Sequence, residues 1–186
     1  MKLPKIYKDK DADLELINDK QIGIIGFGNQ GKAQALNLRD SGINVWIGLR
    51  EDSKKSKNVG EESLICKSIK DTVENCDIIS ILIPDQVMGE VYQEHITPNM
   101  KDGQTLLFSH GYNIHYGVIK PPTFINIVMA APSGAGTELR KRYIDGSGIP
   151  GLFAVYQDRS GDSEKIVLAY CRAIGITKSG VVKSTF

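Results

Sequence analysis

Apolar residues along the chain fall into two alternating rhythms. Ile22–Ile25, Ile43–Leu49, Asp77–Ile83, Gln104–Phe108, Phe124–Met129 and Leu152–Tyr156 are short, nearly continuous apolar runs. Strands covered on both faces need such runs. Between them lie helical stretches: Ala33 to Arg39, Ser68–Asn75, Asp85 onward through Val87, Val91 and Tyr92, Thr137–Tyr143, and Ser163–Ile174. Ser41-Gly42 stops the first of these, and Pro121-Pro122 breaks the chain before the sixth strand. Ser63–Cys66 reads as a weaker strand, Gly180–Val182 as a last extended piece, and Asp11–Ile17 as a short surface helix. Residues 97–103 and 146–151 read as loops, and Ile6 and Tyr7 as packing points in a polar leader. Strand–helix alternation predicts an α/β fold: a Rossmann-type, doubly wound, mostly parallel sheet with helices on both faces, one domain over residues 1–186.

The first strand–helix junction carries the chemistry. Gly26-x-Gly28-x-x-Gly31 follows Ile22–Ile25 and opens a helix rich in Ala and Leu. The first glycine permits the tight turn, the second lets backbone approach a pyrophosphate, and the third lets helix pack on strand. Free N–H groups at the helix start, aided by its dipole, would face the phosphates, with Phe27, Asn29 and Gln30 beside them. A bare GxGxxG is weak, but strand before and helix after are the context it requires. The residue that reads the cofactor's ribose lies ~20 residues further on. There the chain has Arg50-Glu-Asp-Ser53-Lys54, so guanidinium, hydroxyl and ammonium groups favour a 2′-phosphate and NADPH. Glu51 and Asp52 could each accept a ribose hydroxyl, which leaves NADH open.

Bulk properties narrow the rest. With 23 basic and 22 acidic residues, the net charge of +1 marks neither nucleic acid nor an anionic membrane as partner. No apolar run reaches the ~18 residues of a spanning helix, and Met1–Lys10 lacks a signal peptide's apolar core. Cys66, Cys76 and Cys171 form no CxxC pair and read as reduced thiols in a cytoplasmic protein, without a zinc site.

Motifs along the whole chain resemble the N-terminal, cofactor-binding domain of ketol-acid reductoisomerase. They are Lys5–Leu14, Ile24–Gly31, Ala35–Gly42, Gly48–Glu51, Leu82-Ile-Pro84-Asp85, Ser109-His110-Gly-Tyr-Asn-Ile-His115 and Gly148-Ile-Pro150. The resemblance implies NADPH and Mg²⁺ as cofactors, and 2-acetolactate as a substrate that undergoes alkyl migration and then hydride transfer. It places Gly26, Gly28 and Gly31 on the pyrophosphate, Arg50, Ser53 and Lys54 on the 2′-phosphate, and Pro84 among the cofactor contacts. It also places Pro132 and Gly134 near the nicotinamide and His110 at the edge of the active site. His110 ends an apolar strand where open α/β sheets bind ligands, although a structural histidine would read the same way. His115 reads as structural and His95 as exposed.

Two departures bear on activity. The family's Ala-Pro-Lys segment is Ala131-Pro132-Ser133 here, so the lysine's charge is missing. The resemblance also implies a helical C-terminal domain carrying the magnesium-binding carboxylates, and this sequence contains no equivalent of it. Asp9, Asp11 and Asp13 lack the remaining ligands of a cation loop. A fragment of a longer enzyme, one half of a split enzyme with a separate helical subunit as partner, and a diverged stand-alone protein are all open readings. A non-catalytic or regulatory dinucleotide-binding module is the alternative. Tyr116 and Lys120 have the spacing of a dehydrogenase proton relay, but Gly117 and Pro121 oppose the helix it needs.

Overall fold

A computed structural model describes residues 4–186. The first three residues, part of the leader read above as no signal peptide, lie outside the described residues. The elements are β1 (Ile6–Tyr7), α1 (Glu15–Asn18), β2 (Gln21–Ile25), α2 (Asn29–Asp40), β3 (Asn44–Leu49), α3 (Ser56–Glu61), β4 (Ile65–Ser68) and α4 (Ile69–Asn75). They continue with β5 (Ile78–Ile81), α5 (Asp85–Val91), β6 (Thr105–Phe108), α6 (Tyr112–His115), β7 (Asn126–Pro132), α7 (Gly136–Ile144), β8 (Gly151–Gln157), α8 (Ser163–Ala173) and β9 (Val181–Lys183). Among the described residues, all nine strands join one sheet in the order β1-β9-β8-β7-β6-β5-β2-β3-β4. The sheet is mostly parallel, as the alternation predicts; β7–β8 and β1–β9 are the antiparallel pairs.

β2 shows why the strands read as continuous apolar runs. Ile22 and Ile24 enter one core cluster with Leu36, Leu38, Val167 and Tyr170 of α2 and α8. Ile25 enters the other, with Ile69 and Val73 of α4 and Met88 of α5. Helices cover both faces, so both alternating sets must be apolar. Each fully buried isoleucine contributes ~1.5–3 kcal/mol.

Local hydrogen bonding moves several boundaries from their sequence expectations. Ser68 Oγ accepts the Asp71 N–H at 3.0 Å, so Ser68 caps α4 and ends β4. The expected helix over Asp11–Ile17 divides into a 3₁₀ turn, Asp9–Asp11, and α1. Asp11 and Asp13 each accept a nearby backbone N–H, from Lys8 and Glu15, closing two separate turns. The segment before α3 reads only as loop, yet α3 forms and buries Val59. Beyond α5 the helix widens into a π turn, Tyr92–Ile96, and then a 3₁₀ turn, Thr97–Asn99, where a plain loop is expected.

Register aligns the strand ends that matter. Ile25 lies opposite Gly48 and Ile81, Ile81 opposite Phe108, and Phe108 opposite Met129. The segments that follow β2, β3, β5, β6 and β7 therefore leave from one edge of the sheet. Chain direction across the sheet reverses between β2 and β5, which opens a crevice at that edge.

Candidate functional site

The glycine turn sits at this crevice, and its three glycines meet different surroundings. Gly26 has φ +101°, and a Cβ there would lie 2.7 Å from Ile83 Cγ2. A Cβ on Gly31 would collide with the Gly26 carbonyl oxygen, so α2 rests directly on the turn. A Cβ on Gly28 would meet nothing within 4 Å. Gly28 also begins α2 without a side-chain cap, leaving first-turn N–H groups directed at open space. A dianionic bridge fits this cradle: uncapped donors, a helix dipole, and room where a side chain would stand.

Beside the turn lies a cleft of about 320 Å³, with Ile25, Gly26 and Phe27 from the end of β2 and Gly48, Leu49, Arg50, Ser53 and Lys55 from the end of β3. Ile83, Pro84, Val87 and Val91 form the opposite wall, and Glu90, Glu94 and His95 its rim. Apolar walls with polar groups at the ends suit an adenosine moiety. Arg50 is 70% exposed and only 3.8 Å from the equally open Asp52, a weak contact that leaves the guanidinium free to turn toward a ligand. The structure brings Arg50 and Ser53 to the cleft together. Lys54 is exposed and is not part of the lining; Lys55 lines the cleft instead. His95, expected exposed, is half-buried because the π turn carries it to the rim.

Across the turn, α2 is tied to the segment after β7. Gln30 Nε2 donates to the Gly134 carbonyl at 2.8 Å, and the Thr137 N–H donates to Asn29 Oδ1 at 3.0 Å. Buried Gln34 donates to Gln30 Oε1 and to Ser109 Oγ, both at 3.1 Å, and accepts from the Tyr170 hydroxyl at 2.8 Å. Ser109 in turn donates to the Ala130 carbonyl at 2.9 Å. One polar chain thus links the glycine turn, the residue before His110, and the end of β7.

Residues 16–180 match the family model described as acetohydroxy acid isomeroreductase, NADPH-binding domain. The chain belongs to the ketol-acid reductoisomerase family. It is 44% identical over 186 residues to ketol-acid reductoisomerase (NADP(+)) of Pyrococcus abyssi, covering 100% of this chain and 56% of the relative. The Methanopyrus kandleri protein of the same name is 46% identical, over 99% of this chain and 56% of the relative. A solved NADH-preferring ketol-acid reductoisomerase from an uncultured archean superposes with a TM-score of 0.95 at 40% identity, covering 98% of this chain and 56% of that one. The chain therefore spans about half the length of the reductoisomerases it matches, and corresponds to their NADPH-binding domain. A Plasmodium falciparum pyrroline carboxylate reductase shares only the fold, with a TM-score of 0.59 at 17% identity.

Within this reductoisomerase domain the remaining candidates sit as follows. Pro84 caps α5 and lines the cleft. Pro132 ends β7 opposite Gly151, and Ser133 donates its N–H to the Pro150 carbonyl at 2.9 Å, leaving its side chain exposed. His110 is 70% exposed just past β6; its Nδ1 accepts the Tyr112 N–H at 3.2 Å and stands 3.7 Å from Asp85 Oδ2. His115 contacts the Phe186 carbonyl at 3.3 Å. Tyr116 and Lys120 share no helix. Among the described residues no group of three or more His, Cys, Asp or Glu side chains could hold a metal ion, and no helix is long and apolar enough to cross a membrane. Sequence reasoning missed Lys55, Glu90 and Glu94; the helical phase of α5 could have placed Glu90 on the cleft, whereas Glu94 lies in the π turn beyond it.

Proposed function

We propose that this chain is the dinucleotide-binding half of a cytoplasmic NADPH-dependent ketol-acid reductoisomerase acting on 2-acetolactate in branched-chain amino acid synthesis, completed by a helical part outside these 186 residues. The open space at Gly28, at the mouth of the crevice between β2 and β5, carries this reading. Gly26, Phe27, Gly28, Asn29, Gln30 and Gly31 hold the pyrophosphate. Arg50 and Ser53 hold the 2′-phosphate, with Lys55 doing what the sequence suggests for Lys54, and Pro84 closes the adenosine side. Pro132 and Gly134 border the nicotinamide, and the tether from Gln30 to Gly134 keeps that border fixed to the phosphate turn. NADPH, when bound, supplies the hydride. His110 presents an imidazole to the reacting side, and Ser133 adds no charge there. Magnesium ligands come from the helical part.

A strip of exposed aromatic residues favours such a partner. Tyr112, Tyr116 and Tyr156 are 46%, 68% and 55% exposed, with the Tyr112 and Tyr116 rings 4.8 Å apart and Phe186 packed 5.6 Å from Tyr156. Purified chain given NADPH, Mg²⁺ and 2-acetolactate should bind NADPH and leave it unoxidised. Family-like turnover by the chain alone would overturn the split assignment. Ser133 supports the second reading, a non-catalytic module, which predicts no activity even after a helical partner is added.

A further inference from the structure

His110 Nδ1 has two neighbours with opposite requirements. The Tyr112 N–H donates to it at 3.2 Å, and Asp85 Oδ2 stands 3.7 Å away. Asp85 is itself held from behind: its Oδ1 accepts from Asn113 Nδ2 at 3.0 Å, and the Asn113 side chain is fully buried against Met88 Sδ. Asn113 sits on α6, Asp85 in the first turn of α5, and His110 between β6 and α6, so three segments converge on one ring.

A neutral imidazole carries one N–H and one bare nitrogen. With Nδ1 bare, the ring accepts from Tyr112 and offers Nε2–H outward. With the proton on Nδ1, the ring turns that proton to Asp85 and offers a bare Nε2. Backbone amide alone would fix the first form; a carboxylate alone would fix the second.

We propose that Asp85 is a positioning residue for His110: it competes with the Tyr112 N–H for Nδ1 and so keeps both tautomers populated. Nε2, the nitrogen left free by this arrangement, can then meet a ligand oxygen as donor or a ligand hydroxyl as acceptor. Asn113 serves the same end by holding the carboxylate in place. The inference rests on the proposed role of His110 only for its use, since the competition at Nδ1 exists without ligand.

Long-range ¹H–¹⁵N correlation on histidine-labelled protein, at a pH where the rings are neutral, reads the tautomer directly. His110→Gln assigns the signal by removing it. The wild type should show His110 nitrogen shifts between those of the two pure tautomers. Asp85→Asn should move them to the Nε2–H pattern, and Asp85→Glu should move them back. His95 and His115 serve as internal references and should not shift. A wild-type ring already in the pure Nε2–H form, or one unchanged by Asp85→Asn in a variant that keeps its thermal transition, would overturn the proposal. NADPH titration of the same samples separates the two readings: a tautomer shift without dinucleotide binding removes the functional assignment and leaves Asp85's role standing.

Discussion

Gly28 and Gly31 are three residues apart and predict opposite outcomes. Gly28 has φ −88°, which any residue tolerates, and its Cβ position is open. Gly28→Val should therefore abolish NADPH binding while costing no more than about 1 kcal/mol, the difference between glycine and valine at the start of a helix. Calorimetric titration beside thermal unfolding checks both halves. Gly31→Ala should instead destabilise by ~1–3 kcal/mol, because its Cβ has to displace the Gly26 carbonyl on which α2 rests. Arg50→Ala should weaken NADPH by roughly tenfold to a hundredfold, the value of one charge-assisted contact of ~1.5–3 kcal/mol, while sparing NADH. Equal NADH and NADPH affinity in the wild type would remove that preference. That Arg50 and Ser53 would line the cleft was legible because the end of β3 fixes where the loop begins. Lys54 and Lys55 could not be told apart, since residues 50–55 have no repeating pattern. α3, starting at Ser56, decides which lysine lines the cleft.

Among the elements, α7 depends on a residue of the glycine turn. Asn29 Oδ1 accepts the Thr137 N–H, an N-terminal cap supplied from another helix. Asn29→Ala should cost ~0.5–2 kcal/mol of stability, read as a lower urea midpoint with unchanged slope. An unchanged midpoint would mean the bond contributes nothing net. The larger helices and strands were legible from their periods, because a sheet covered on both faces imposes continuous apolar runs. The π turn was not, since one extra residue in a helical turn leaves no mark on the apolar pattern. The direction of β8 was equally hidden. Leu152–Tyr156 reads as strand either way, and only packing beside β7 makes it antiparallel.

For the whole molecule, acid is the informative stress. Burial opposes ionisation of Asp40, but hydrogen bonds from Arg140 and Arg39 outweigh it and hold the carboxyl below its ordinary value of 3.8. Burial likewise opposes Asp158, and the Ser163 hydroxyl, with the Ser163 and Gly161 N–H groups, outweighs it. Both values are depressed by folding. The stability they contribute is complete above the unfolded value near 3.8 and is lost as pH falls through the lower folded values. The thermal midpoint should hold between about pH 7 and 5 and drop below about pH 4. Asp158→Asn should flatten part of that drop; an unaltered acid limb would exclude Asp158 as a contributor. Thiol chemistry reports on the same fold. Burial pushes Cys76 up to about 12 and Cys171 higher still, so alkylation in the native state should reach half-buried Cys66 first.

The pairing of β1 with β9 has a consequence for how the chain is made. Ile6 lies opposite Val182 and Tyr7 opposite Val181, with the Tyr7 ring edge-on to Phe153 at 5.1 Å. A ribosome releases Ile6 and Tyr7 early, yet their partners emerge only after β2 through β8 have been made. At ~5–20 residues per second, that leaves a wait of seconds, long enough for β2 through β7 to assemble around the glycine turn first. The cofactor cradle can thus be in place on a nascent chain before the sheet has its final edge.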